Sequence, residues 1–406
     1  MELKARHKIA TAILRPIVGA YCRVAYNLRL PAVSELKQIP SPCFVVANHN
    51  SDLDPVFLSM CIPSPVFYVA SDHLFRLGFI SKLLRYLFSP IPKLKSTSDI
   101  KTIRDIIAAL RSGASAGVFP EGNRSWDGET MAFSPAIGKL LHHLGVPIVV
   151  FRIHGAYMAF PRWGDKNRRG RIECRLVRVL SPETVKQMGI DELNELVRND
   201  LWVDAAQDQR DEPVRFMGKN LAQSIETVLY ACPSCGGFTT IQSKGNEAFC
   251  ACGLRFRYDE FGMLHGAPYQ SIADWNHWQT RHLEQHLGGM EKADDNTAIF
   301  CDENQTLHSI ERASKTRFVA KGRLCIYRDR LVLEGKDETI EFSLQSISRL
   351  EIWGRLTLQF STLDGRHYEI KSKRVRSAYK YQQVYNLLAH LRGEQNAGVS
   401  ADEIKT

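Results

Sequence analysis

In the first half of the chain, apolar runs repeatedly break off into clusters of polar and charged residues. Val45-Val46-Ala47 gives way to Asn48-His49-Asn50-Ser51-Asp52-Leu53-Asp54, and Gly117-Val118-Phe119-Pro120 to Glu121-Gly122-Asn123-Arg124-Ser125. A further run, Val146-Pro147-Ile148-Val149-Val150, precedes His154-Gly155. Short apolar runs bounded by turn residues read as buried strands, and residues 67–70 read as another. Between them the apolar spacing becomes helical. Residues 75–88 carry Arg76, Lys82 and Arg85 among bulky apolar side chains, Ile103, Ile106, Ile107 and Leu110 share one face of a helix over 99–110, and residues 136–144 suit a third helix. This alternation predicts an α/β domain with a largely parallel sheet. Such sheets present their chemistry beyond the carboxyl ends of the strands, where both polar clusters fall.

The two ends of the chain are patterned differently. At helical spacing Ile9, Ile13, Ile17, Ala20, Val24 and Leu28 fall on one side of residues 1–30, with Lys4, Lys8, Arg15 and Arg29 opposite. Arg15, Arg23 and Arg29 interrupt any run long enough to span a bilayer, so the pattern predicts an interfacial helix, bent into two pieces at Pro16. Residues 55–70 are too short and contain Pro63 and Pro65, which excludes a second span. From about residue 316 the apolar period becomes two (Leu324, Ile326; Leu331, Leu333; Ile340, Phe342; Leu356, Leu358, Phe360; Tyr368, Ile370), and a helix over 377–391 follows. Many short strands closed by one helix resemble a pleckstrin-homology-like barrel. Within it Lys371, Lys373, Arg374 and Arg376 form either a headgroup-binding cluster or a solvated one.

A chain of 406 residues exceeds one ordinary core. The expected divisions are an α/β domain over 1–212, a linker over 213–230 with a helix from 220, a cysteine-containing module over 231–265, a connecting segment over 266–315, the β domain over 316–392 and a disordered tail over 393–406. The net charge of +9 and pI near 9.0 favour polyanionic partners without choosing among lipid, phosphorylated substrate and nucleic acid. The basic stretch 162–178 is either a solvated face or an attractor of anionic lipid. Ten cysteines without a cleavable signal pattern argue against a secreted disulfide scaffold and for a cytoplasmic protein.

Four of those cysteines are spaced as metal ligands. Cys232-Pro233-Ser234-Cys235-Gly236 and Cys250-Ala251-Cys252-Gly253 supply two pairs of thiolates separated by a hairpin-length loop, the set a closed structural zinc site requires. His282 and His286 share a helix face with no obvious acidic or thiol partner and read as surface residues.

His49 is the natural base of the first polar cluster, and Asp54 is spaced to hold its second ring nitrogen. With Asn48 they complete N-H-x4-D, and Phe119 through Ser125 fit F-P-E-G-T-R-S with Asn123 in place of threonine. Over residues 1–210 this order of blocks resembles the glycerolipid acyltransferase family typified by lysophosphatidic acid acyltransferases. The resemblance implies direct acyl transfer from acyl-CoA or acyl carrier protein to the free hydroxyl of 1-acyl-glycerol 3-phosphate, or to another lysolipid or glycerol 3-phosphate. It implies His49 as base and Asp54 as its orienting carboxylate, Glu121 and Gly122 as glycerol-positioning residues, and Arg124 as a phosphate ligand. Lysines occupy the place of the family's second, arginine-bearing block, with Lys95 the first candidate and Lys93 the alternative for the acceptor's phosphate. Peripheral attachment to anionic lipid on the inner face of the cell membrane follows from the same resemblance and from the N-terminal pattern, with no nucleic-acid partner expected. A Ser–His or Cys–His hydrolase using Ser51 or Cys43 lacks the G-x-S-x-G surroundings of such nucleophiles. A binding protein that retains the fold without the chemistry is the remaining alternative.

Overall fold

The computed structural model describes residues 1–71, 79–93, 100–290, 296–310 and 316–393. It divides into two compact units, residues 1–161 with 167–218, and residues 162–166 with 219–406.

The first unit is built on a six-stranded sheet. Helix α1 (Ala5–Tyr26) leads to β1 (Phe44–Ala47), α2 (Asp54–Ser59), β2 (Val66–Ser71), α3 (Phe79–Phe88), β3 (Ile91–Lys93), α4 (Ile100–Arg111) and β4 (Ser115–Val118). Then come α5 (Ala136–Leu144), β5 (Ile148–His154), β6 (Glu173–Leu180), α6 (Ile190–Leu201) and α7 (Ala205–Asp211). The strand order is β3-β2-β4-β1-β5-β6, parallel except for β6, as the strand–helix alternation predicts. The central strands are largely apolar because helices cover them: Phe44, Val46, Ala116, Ile148 and Val150 pack with Ile106 and Leu110 of α4, Leu141 of α5, and Leu193 and Val197 of α6. With β1 and β4 adjacent and parallel, the polar clusters that follow them emerge side by side.

Helix α1 differs from expectation in two respects. It runs as a single helix through Pro16, and it ends at Tyr26, so Leu28 lies beyond it and is buried. Ile9, Ile13, Ile17 and Val24 are exposed as the pattern requires, while His7, Ala10, Gly19, Cys22 and Tyr26 face the unit. Among the described residues no helix is long and apolar enough to cross a membrane.

The second unit is largely β. Strands β7 (Ile241–Lys244), β8 (Glu247–Cys250), β9 (Arg255–Tyr258) and β10 (Leu264–His265) form a small antiparallel sheet, followed by α8 (Ile272–Gly289). A seven-stranded antiparallel sheet then comprises β11 (Phe300–Ile310), β12 (Thr316–Ile326), β13 (Arg330–Gly335), β14 (Thr339–Ser343), β15 (Ile347–Trp353), β16 (Thr357–Thr362) and β17 (His367–Ser372), with α9 (Tyr379–Leu391) after it. The sheet begins earlier than its apolar alternation indicates. β11 pairs with both β12 and β17 although Asp302, Glu303, Asn304 and Gln305 break its pattern, and Cys301 and Cys325, opposite each other on β11 and β12, are joined as a disulfide. The expected helix from 220 is a 3-10 turn, Ile225–Thr227. The tail from residue 394 lies outside the described residues.

Helices α5 and α6 approach each other closely at Gly138 of α5. A Cβ there would lie 2.5 Å from the Ile190 carbonyl oxygen and 2.6 Å from Asn194 Oδ1, and the Gly138 N–H donates to that same Oδ1 at 2.7 Å. Gly138→Ala is therefore expected to lower unfolding stability by about 1–3 kcal/mol despite alanine's better helix propensity. The midpoint of denaturant unfolding measures this, and an unchanged or raised midpoint would show that α5 and α6 separate freely.

Candidate active site

The turn after β1 is organised by a carboxylate. Asp54, fully buried at the start of α2, accepts from the backbone amides of Asn50 at 2.7 Å and Ser51 at 2.8 Å through Oδ2, and from Ser51 Oγ at 2.6 Å through Oδ1. Oδ2 also lies 3.0 Å from His49 Nδ1. An ionised carboxylate is an acceptor only, so the shared bond places the ring proton on Nδ1 and leaves Nε2 with its lone pair for a substrate. The imidazole stacks on Phe119, with ring centroids 4.4 Å apart, which holds its plane as Asp54 holds its rotation. Asn48 fixes the end of β1 itself. It donates to the Ile153 carbonyl at 2.9 Å and accepts from the Ile153 amide at 2.7 Å, bridging to β5 with its side chain.

The turn after β4 grips the other side of His49. Glu121 Oε1 accepts the His49 amide at 2.7 Å, Oε2 accepts the Met131 amide at 2.8 Å, and the Ser125 amide donates to the His49 carbonyl at 3.2 Å. Both Glu121 oxygens thus serve backbone amides. Its burial pushes the carboxyl up to about 8, against the opposing pull of the Met131 and His49 amides. Gly122 takes a positive φ of 67° where the turn reverses, which favours glycine. Arg124 extends from this turn with Nη1 3.3 Å from Asp52 Oδ2 of the first cluster. The fold therefore brings His49, Asp54, Glu121, Gly122 and Arg124 together at one end of the sheet.

Lys93 is exposed at the carboxyl end of β3, which pairs in parallel with β2, so it stands at that same end of the sheet. Lys95 lies outside the described residues. The basic stretch 162–178 is only partly open, with Lys166 and Arg169 exposed. Arg162 and Arg168 are buried, and Arg171, Arg175 and Arg178 are paired with Glu212, Glu173 and Asp200. Arg376 likewise belongs to the interior, where its Nε donates to Gln305 Oε1 at 2.6 Å. The bridging role of Asn48 and the two-amide role of Glu121 went unread in the sequence, although the first place in N-H-x4-D was a signal that Asn48 has backbone work to do.

Cys232, Cys235, Cys250 and Cys252 converge, with all four sulfurs within 4.8 Å of one another. The Cys232–Cys252 and Cys235–Cys250 sulfurs are 3.7 and 3.8 Å apart. A tetrahedron with metal–sulfur bonds of about 2.3 Å has edges of about 3.8 Å, so the donor set fits a zinc ion. His282 is no plain surface residue: Nε2 lies 2.9 Å from the Gly236 carbonyl, and its ring stacks between Trp278 and Phe238.

The Acyltransferase family model matches residues 31–154, the segment that carries both turns. Residues 31–154 are thus the part of the chain that resembles an acyltransferase domain. The chain is similar to a chloroplastic 1-acyl-sn-glycerol-3-phosphate acyltransferase of Brassica napus, at 23% identity over 34% of this chain and 40% of that one. It is also similar to human 1-acyl-sn-glycerol-3-phosphate acyltransferase beta, at 28% identity over 36% of this chain and 54% of that one. Among solved structures, the 1-acyl-sn-glycerophosphate acyltransferase of Thermotoga maritima aligns at 22% identity and a TM-score of 0.40, over 48% of this chain and 81% of that one. The chain thus spans about half the length of the curated relatives it matches.

The raised value of Glu121 gives the site a pH signature. Because the folded value lies above the ordinary 4.5, the stability gained by burying the neutral acid is complete below about 4.5 and is lost as pH rises through about 8. Glu121→Gln cannot titrate. The melting temperature of wild type should fall relative to that of Glu121→Gln as pH is raised from about 5 to 8, and a difference independent of pH would assign the burial cost elsewhere.

Proposed function

We propose that this chain transfers an acyl group from a thioester, acyl-CoA or acyl carrier protein, to the free hydroxyl of 1-acyl-glycerol 3-phosphate, forming phosphatidic acid. The observation that carries the reading is the His49–Asp54 dyad, oriented on Nδ1 and set beside an arginine-bearing turn. His49 Nε2 accepts the acceptor's hydroxyl proton as that oxygen attacks the thioester carbonyl, and Asp54 stabilises the imidazolium that forms. The proton then passes to the departing thiolate, so no acyl-enzyme is needed. Arg124 and a lysine of the 93–95 segment neutralise the phosphate, and Glu121 with Gly122 shapes the glycerol subsite, Glu121 acting through the backbone it holds. The names of the relatives favour this acceptor over other lysolipids.

Ile9, Ile13, Ile17 and Val24 of α1 and Leu83, Tyr86 and Phe88 of α3 are exposed on helices that meet through Arg6 over the Tyr86 ring and through His7 Nε2, 3.0 Å from Oγ of Ser89 just past α3. This is our candidate surface for peripheral docking on anionic lipid, with the helices lying in the interface. In the second unit the four cysteines hold one structural zinc within a ribbon, and the seven strands with α9 make a pleckstrin-homology-like domain. Four thiolates close the metal's coordination, so no step of acyl transfer runs through it.

His49→Ala is expected to reduce acyl transfer by at least about 100-fold with unchanged folding, whereas Asp54→Asn lowers kcat and leaves the acceptor KM nearly unchanged. An assay against lysophosphatidate, other lysolipids and glycerol 3-phosphate measures both. Turnover of His49→Ala within tenfold of wild type would remove His49 as the base. Elemental analysis should find about one zinc per chain, lost in Cys232→Ser/Cys235→Ser, and a metal-free, normally folded wild type would refute the ribbon. Ile13→Glu/Ile17→Glu should release the protein from anionic vesicles, and continued sedimentation with them would place docking elsewhere.

A further inference from the structure

The first unit contains a cavity of about 540 Å³ that none of the foregoing chemistry uses. Its lining comes from α1 and from the residues just before three adjacent strands: Ser41 precedes β1, residues 63–65 precede β2, and residues 112–113 precede β4. Because these strands are parallel, the cavity lies at their amino ends, while His49 and Arg124 follow their carboxyl ends. Four residues of β1 separate the two, about 13 Å at 3.3 Å per residue, so the cavity is no part of the acceptor site.

Its polar lining is one-sided. Lys8 and Arg15, two turns apart on α1, bring two cations, Thr11 lies between them, and Ser41, Ser64 and Ser112 add hydroxyls. No carboxylate lines the cavity among the described residues. Arg15 is only partly satisfied: Nη2 donates to the Ile62 carbonyl at 2.5 Å, but the buried Nε has no acceptor among the described residues. A partly buried guanidinium and a neighbouring ammonium with no carboxylate beside them in the lining make the cavity electropositive, which favours an anion there. We infer that this cavity binds a phosphate monoester, its oxygens taking the Arg15 and Lys8 charges and the hydroxyl donors, with room for a small organic group beside the phosphate. The phosphate is carried either by a water-soluble monoester or by the headgroup of a monoester lipid reached from α1, if α1 docks on the membrane as proposed above.

The test reads binding alone, so its outcome is independent of whether the chain transfers acyl groups. In an Arg124→Ala background, which weakens phosphate binding at the other end of the sheet, calorimetric titration with inorganic phosphate and with glycerol 3-phosphate should still show one site. Adding Lys8→Gln, a change at an exposed residue, should raise Kd about tenfold, and Arg15→Gln by at least as much. Vesicles of phosphatidylcholine with either phosphatidic acid or phosphatidylglycerol identify the source. A preference for phosphatidic acid that Lys8→Gln abolishes assigns the lipid headgroup, and saturation by glycerol 3-phosphate without that preference assigns the soluble monoester. Loss of all phosphate binding in Arg124→Ala, or an affinity unchanged by Lys8→Gln, would overturn the site.

Discussion

The site rests on how the Asp54 carboxylate is satisfied. A fully buried carboxylate that lacked partners would cost more than a domain's margin of stability can absorb, so the chain from His49 to Asp54 must wrap around it. Two backbone amides and a serine hydroxyl do so, and the imidazole takes the remaining approach. The ring's orientation is therefore a by-product of solving a solvation problem. Any substitution that loosens the turn also frees the imidazole, and any that removes the carboxylate's charge lets the ring choose the other tautomer.

What the sequence revealed followed from period and punctuation. Apolar runs with abrupt polar ends located β1, β4 and β5, and residues 136–144 coincide with α5 because Gly145 provides a left-handed C-cap. The His49–Asp54 pairing was legible because five residues suffice for a side chain to turn back on its neighbour. Interactions through backbone amides left no such trace. Glu121 read as a substrate contact since its two amide partners, His49 and Met131, lie 72 and 10 residues away and impose no residue type on those positions.

Charge left the 162–178 stretch undecided for a related reason. A run of arginines gives the sign of a segment but not the carboxylates that tertiary structure brings to it, and Asp200 and Glu212 reach the 162–178 stretch only after α6 and α7 dock. β11 was hidden because a run of polar residues can pair through its backbone on both sides without apolar alternation. In the second unit, the convergence of the four sulfurs followed from cysteine spacing alone, but the support of the Gly236 carbonyl by His282 depends on where α8 packs.

The joining of His49 to Glu121 and Ser125, and of Asn48 to Ile153, has a kinetic meaning. These bonds close loops of 72, 76 and 105 residues, among the slowest contacts a chain of this kind forms. The dyad can assemble locally in a nascent chain, but its placement against the arginine turn waits until β4 and β5 have joined β1. The candidate site is thus completed late, with closure of the whole sheet, and a partly folded chain released early from the ribosome holds the His49–Asp54 pair without the arginine turn beside it.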